Sequence, residues 1–108
     1  MDEMALTRSF KETVKARVER DPDFREALLA EGMDALLAGD VDVGKTILRD
    51  YINATIGFEE LARRTGTPPK SLMRMLGPRG NPNARNLFAI LDRLQADAGI
   101  RLCVRPRH

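Results

Sequence analysis

Glycine and proline cut this chain into short segments, and the segments between the cuts carry apolar residues at helical spacing. The cuts fall at Asp21-Pro22, Gly39, Gly57, Gly66-Thr67-Pro68-Pro69 and Gly77-Pro78-Arg79-Gly80-Asn81-Pro82. Proline lacks an amide hydrogen and glycine tolerates positive φ, so such clusters end helices or set turns. Before the first cut, Leu6, Phe10, Val14 and Val18 recur every four residues, which predicts a helix over about 6–20 with one narrow apolar stripe. Asp21 then reads as an N-cap with Pro22 at the first helical position. Phe24, Ala27, Leu28, Leu36 and Leu37 continue as a second helix that ends near Gly39. A third helix fits 42–55 with Val43, Ile47, Leu48, Tyr51 and Ile52 inward. Two short helices follow at 58–64 and 69–76, and a last one at 83–97 carries Leu87, Phe88, Ile90, Leu91 and Leu94. Ile100, Leu102 and Val104 alternate with Arg101 and Cys103, the pattern of a short strand. The expected class is all-α, with five or six helices and one terminal strand.

Composition bounds the function. At 108 residues, 43% hydrophobic and 31% charged, the chain builds one modest core and is not a disordered tail. No apolar run approaches the ~18 residues a membrane helix needs, so no membrane association is expected. Met1-Asp2-Glu3-Met4 is acidic and shows no secretory signal pattern, so the expected location is cytoplasmic. The single cysteine, Cys103, leaves no internal disulfide or cysteine-based zinc site, and reads as a small packed residue. The single histidine, His108, is terminal and leaves no Ser-His-Asp triad. Neither catalysis nor a cofactor is expected.

One motif matches and is refused. Gly39-Asp40-Val41-Asp42-Val43-Gly44-Lys45-Thr46 fits the literal P-loop pattern. A P-loop needs a buried strand before it and amides converging on phosphate. Here the preceding residues are helical in pattern, and Asp40 and Asp42 would oppose the phosphates. The segment reads instead as an inter-helix turn, with Asp40 or Asp42 capping the third helix.

The segment from Phe58 to Leu76 has helix-turn-helix grammar. Ala62 is small where two helices must cross closely, and Gly66, four residues on, suits a tight turn. Leu61, Leu72 and Leu76 seal the pair to the core. Thr67 is placed to cap the second helix, with Pro68 at its first position. Leu72, Met75 and Leu76 share one face, leaving Pro69, Lys70, Met73 and Arg74 on the other and Ser71 at the edge. A short helix with Lys and Arg outward fits a DNA major groove, where both donate to guanine. An ordinary helical hairpin with solvated bases fits the spacing equally well. Charge favours DNA: the net +2 divides into −4 over 1–40, −2 over 41–60 and +8 over 61–108. From Leu61 to Gly80 there are five bases and no acid, and the loop after Leu76 adds Arg79, Asn81 and Asn83 as phosphate donors.

The pattern Gly66-x-x-x-x-Ser71-Leu72-x-x-x-Leu76-x-Pro78-x-Gly80-Asn81-Pro82, with Gly99-Ile100-Arg101-Leu102-Cys103-Val104 after the last helix, resembles the HigA-related addiction-module antidote proteins. These are Xre-type regulators with a phage-repressor-like fold, and the resemblance covers about residues 42–104. It implies a five-helix helix-turn-helix domain over 41–108; the acidic helical extension over 1–40 that precedes it is longer and more acidic than such antidotes carry. It also implies a dimeric, nucleoid-associated regulator of transcription that binds double-stranded DNA, with Pro69, Lys70, Met73 and Arg74 facing the bases. Repressors of this fold often begin helix two with Gln; here that position is Phe58, and Pro69 replaces a polar base reader. Direct readout then leans on Lys70 and Arg74. The expected function is a sequence-specific repressor; the alternative is an antitoxin that acts by binding a toxin protein. The acidic arm has three readings: an extension of the core, a surface for a second protomer, or a holder for a toxin partner. The terminal strand invites pairing with its two-fold mate, because a lone strand leaves its ladder groups unpaired.

Overall fold

The computed structural model describes residues 13–108, and all regular structure among them is α-helical. Leu6 and Phe10 of the N-terminal stripe lie outside the described residues. Helix α1 covers residues 13–20 of the described chain, and Val18 on it is fully buried. It is followed by α2 (Pro22–Leu37), α3 (Val41–Ala54), α4 (Phe58–Thr65), α5 (Pro69–Met75) and α6 (Ala84–Ala98). None of the described helices is long and apolar enough to cross a membrane.

The helix boundaries follow from local chemistry. The Asp21 carboxylate accepts the amide of Phe24 at 3.2 Å, and Pro22 begins α2 where its missing N–H costs nothing. Asn83 caps α6 in the same way, accepting the amide of Asn86 at 2.8 Å. Asp40 stands at the N-cap position of α3, but no side-chain bond caps that helix. Helix α5 starts at Pro69 with Pro68 before it, so Thr67 does not cap it; two successive prolines supply the entry geometry instead.

The core gathers Leu29 of α2, Leu48, Tyr51 and Ile52 of α3, Phe58 and Leu61 of α4, Leu72 of α5, Leu76, and Ile90, Leu91 and Leu94 of α6. Leu29 is fully buried in it, so α2 shares its core with the helices after it. Helices α2 and α3 approach at two glycines. A Cβ on Gly44 would stand 2.6 Å from Leu36 Cδ2, and one on Gly32 would stand 3.2 Å from Ile47 Cγ2. That approach rotates α3 away from the expected register. Gly44, Lys45, Leu48, Tyr51 and Ile52 face inward, and Val43 is exposed. On α2 the buried positions are Leu29 and Gly32, and Leu37 is exposed; on α6 Phe88 is exposed.

Residues 100–108 form no strand. Gly99 adopts a left-handed conformation that ends α6, and Gln95 captures two amides of the tail, those of Ile100 and Leu102. Its backbone oxygen accepts the Ile100 amide at 3.1 Å, and its side-chain oxygen accepts the Leu102 amide at 2.8 Å. Ile100 and Leu102 pack on the core, whereas Cys103 is exposed and not packed. A ladder needs a second extended segment, and the described chain offers none.

Candidate nucleic-acid interface

The hairpin α4–α5 is built around Gly66. Its φ of +73° is the left-handed conformation that ends α4, and its amide donates to the Ala62 carbonyl at 2.9 Å. Glu59 and Glu60 occupy the first turn of α4 and Arg63 and Arg64 its last, each sign matching the helix dipole. Ala62 is buried, and Leu61, Leu72 and Leu76 are fully buried, so the inner side of the hairpin is sealed. Phe58 is buried in the core cluster as well. Phe58 is therefore a packing group and offers no polar contact at the start of α4.

The outer side of α5 presents Lys70, Met73 and Arg74, all exposed and spaced i, i+3, i+4, hence on one face. Met73 leaves 48% of its surface in solvent, large for an apolar side chain. Pro69 and Ser71 are half-buried at the edges of this face, and Thr67 is half-buried in the turn. Arg79, Asn81 and Asn83 are exposed in the following loop. The Asn83 side-chain oxygen is engaged in the α6 cap, which leaves its amide nitrogen as the available donor.

Charge on this surface is partly compensated. Arg64 Nε donates to Glu60 Oε1 at 2.9 Å, and Arg63 bonds the other oxygen of the same carboxylate. Arg64 also lies 3.8 Å from Asp97. The guanidiniums of Arg64 and Arg63 hold the Glu60 carboxyl below its usual range. Lys70, Arg74 and Arg79 form no ion pair among the described residues. They are the uncompensated cations of the hairpin and its loop.

The loop itself is held by a residue outside the hairpin. Lys45 of α3 is 4% exposed, and its Nζ donates to the backbone oxygens of Gly77 at 3.0 Å and Gly80 at 2.7 Å. The Asp42 carboxylate stands 3.5 Å from the same nitrogen. The segment that matched a phosphate-loop pattern is thus a helix start whose glycine sits against α2 and whose lysine bonds the α5–α6 loop. Register was the signal for this: Lys45 precedes Leu48 by three residues and Ile52 by seven, which sets it on the buried stripe of α3.

A second feature lies on another side of the molecule. Helices α2 and α6 and the C-terminal segment enclose an apolar groove, with Leu37 63%, Phe88 61% and Val104 75% exposed at or beside it. Asp34 and Arg105 stand at the groove with opposite charges. In comparisons with known proteins, no family model, no curated protein and no solved structure matches this chain.

Proposed function

We propose that the protein is a sequence-specific, DNA-binding regulator of transcription that acts as a repressor. The observation that carries this reading is the outward face of α5. Lys70, Met73 and Arg74 stand together on a short helix with no acid between Leu61 and Gly80. Lys70 and Arg74 supply hydrogen-bond donors for base edges, Met73 supplies an apolar contact, and Arg79, Asn81 and Asn83 supply donors for phosphates. Thr67, Pro69 and Ser71 flank that face and complete the footprint. The resemblance to HigA-related antidote proteins supports the same assignment, including a place on the nucleoid.

Regulators of this kind work as dimers, because two recognition helices then read two half-sites. The groove between α2 and α6 supports a second copy of this chain as the occupant. Beyond Ile100 and Leu102, no backbone N–H of the C-terminal segment bonds within the described chain, so its edge is open to an extended mate. Two-fold pairing of these segments would carry Leu37, Phe88 and Val104 toward the interface. The same apolar face is what favours the second reading, an antitoxin that holds a toxin protein. A toxin-like reading frame directly beside this one would support it.

Fluorescence anisotropy with a duplex from the upstream region and a scrambled duplex, each at two salt concentrations, tests the assignment. Tighter binding to the upstream duplex that persists at the higher salt supports an autoregulatory repressor. No binding to either duplex removes the DNA-binding reading and leaves the protein-binding one.

A further inference from the structure

We infer that Lys45 is a positioning residue for the nucleic-acid surface: it fixes the loop of residues 77–80 so that Arg79 is presented preformed to a phosphate. The inference rests on the DNA-binding reading for its ligand, but its geometry stands apart from that reading.

Three observations meet at this loop. First, the Gly80 amide donates to the Gly77 oxygen at 3.0 Å, which closes a four-residue turn with Pro78 and Arg79 at its tip. Proline pre-sets φ at the second position of such a turn, and Arg79 comes next, exposed. Second, Lys45 Nζ bonds the carbonyls at both ends of the turn, those of Gly77 and Gly80. An ammonium has three donors; two go to these oxygens, and the Asp42 carboxylate lies on the same nitrogen. Third, the turn is pressed onto the end of α5. The Gly77 amide donates to the Arg74 oxygen at 3.1 Å. A Cβ on Gly80 would overlap the carbonyl oxygens of Arg74 and Met75 and stand 2.7 Å from the Met75 carbonyl carbon. Only glycine fits there.

The chemistry explains why a lysine is buried at this place. Helix α5 is seven residues long, and its last carbonyls lack intrahelical partners. The Gly77 amide satisfies one of them; Lys45 satisfies the Gly80 carbonyl and adds a second donor to the Gly77 carbonyl, which the Gly80 amide already engages. A neutral apolar residue at position 45 would leave the Gly80 carbonyl without its donor and the Gly77 carbonyl with the Gly80 amide alone, at a net cost comparable to lost charge-assisted hydrogen bonds. The same bonds tie α3, deep in the core, to the connection between α5 and α6. Arg79 is carried by that connection, so its entropy of ordering is met by the fold before a phosphate arrives.

The test combines a DNA-free and a DNA-bound readout on the full chain. Trypsin cleaves after Arg79, so the rate of cutting at Arg79–Gly80 under native conditions reports whether the turn is held. Lys45→Met keeps the length of the side chain and removes its donors. It is expected to accelerate this cut roughly tenfold, the ratio that corresponds to one hydrogen bond to a charged group. With duplex DNA, Lys45→Met is expected to weaken binding to upstream and scrambled sequences by equal factors and to reduce the salt slope by about one, as Arg79→Ala does. Arg79→Ala is then expected to cost little more when Lys45→Met is already present. Gly80→Ala displaces the same turn from the side of α5 and guards against a Lys45→Met chain that does not fold; it is expected to give the same changes. An unchanged tryptic rate, or an undiminished Arg79→Ala effect in the Lys45→Met background, overturns the inference. Wild-type protein that binds neither duplex removes the DNA role of Arg79, while the tryptic rates still decide whether Lys45 holds the turn.

Discussion

Helices α2 and α3 cross at Gly32 and Gly44, where the two backbones come close enough that added methyl groups would strike Ile47 and Leu36. Helices α4 and α5 meet through buried leucines across a single left-handed glycine and turn their other side to solvent. The first pair is long, carries acids outside and has its inner side closed by close packing. The second is eight and seven residues long and carries bases outside. Isolated helices of that length are unstable in water, so α4 and α5 depend on the rest of the core for their shape. The scaffold half therefore supplies stability, and the hairpin half draws on it to hold an outward-facing surface.

That division is most directly broken at Leu48, which is fully buried on α3. Leu48→Ala is expected to cost about 2–5 kcal/mol in denaturant unfolding, through lost transfer energy and the cavity left behind. A loss well under ~1 kcal/mol would mean that α3 is not the centre of the core. Next in size is a change that should leave stability untouched. Arg74→Ala is expected to weaken cognate DNA binding by about 1–3 kcal/mol with an unfolding midpoint equal to that of wild type. Equal losses on cognate and random duplexes would reassign Arg74 from base reading to phosphate contact. Gly66→Ala probes the joint between the halves, since a φ of +73° is strained for any residue with a Cβ. It is expected to cost about 1 kcal/mol of stability.

Much of this arrangement is legible in the sequence, and the exceptions share a cause. The turn glycine Gly66, the cap of Asp21 and Pro22, and the inward leucines of the hairpin obey local rules, and the structure agrees with them. Lys45, Val43 and Phe88 do not obey composition. Lys45 is buried and the other two are exposed, because a helix is oriented by its neighbours rather than by hydrophobicity residue by residue. Gly44 must face α2, and that requirement rotates Val43 out and Lys45 in. The C-terminal strand fails for a similar reason. Alternation at Ile100, Leu102 and Val104 is real, but a strand exists only against another strand, and Gln95 takes the amides first. Of the candidate site residues, Lys70, Met73, Arg74, Arg79 and Asn81 stand exposed, while Asn83 also serves as a helix cap.

Two smaller effects sharpen the contrast. Tyr51 is fully buried and its hydroxyl has no hydrogen-bond partner among the described residues; burial raises its pKa above the usual value. Tyr51→Phe is expected to leave stability within about 1 kcal/mol of wild type, since it removes an unsatisfied polar atom. On the hairpin, Glu60 has its pKa lowered, so its contribution is present above its unfolded value of 4.5 and is lost as the pH falls through its folded value. Glu60→Gln should flatten that part of the acid limb of a stability profile, with an effect smaller than any of the others because the group is solvent-exposed.

The bond from Lys45 to the 77–80 turn has a consequence for how this sequence can drift. A lysine at position 45 is of no use without two carbonyls to receive it, and position 80 requires glycine only while the turn stays pressed on α5. Substitutions at positions 45 and 80, thirty-five residues apart, are thus coupled: a library that randomises both and selects for folded protein should return them as a correlated pair.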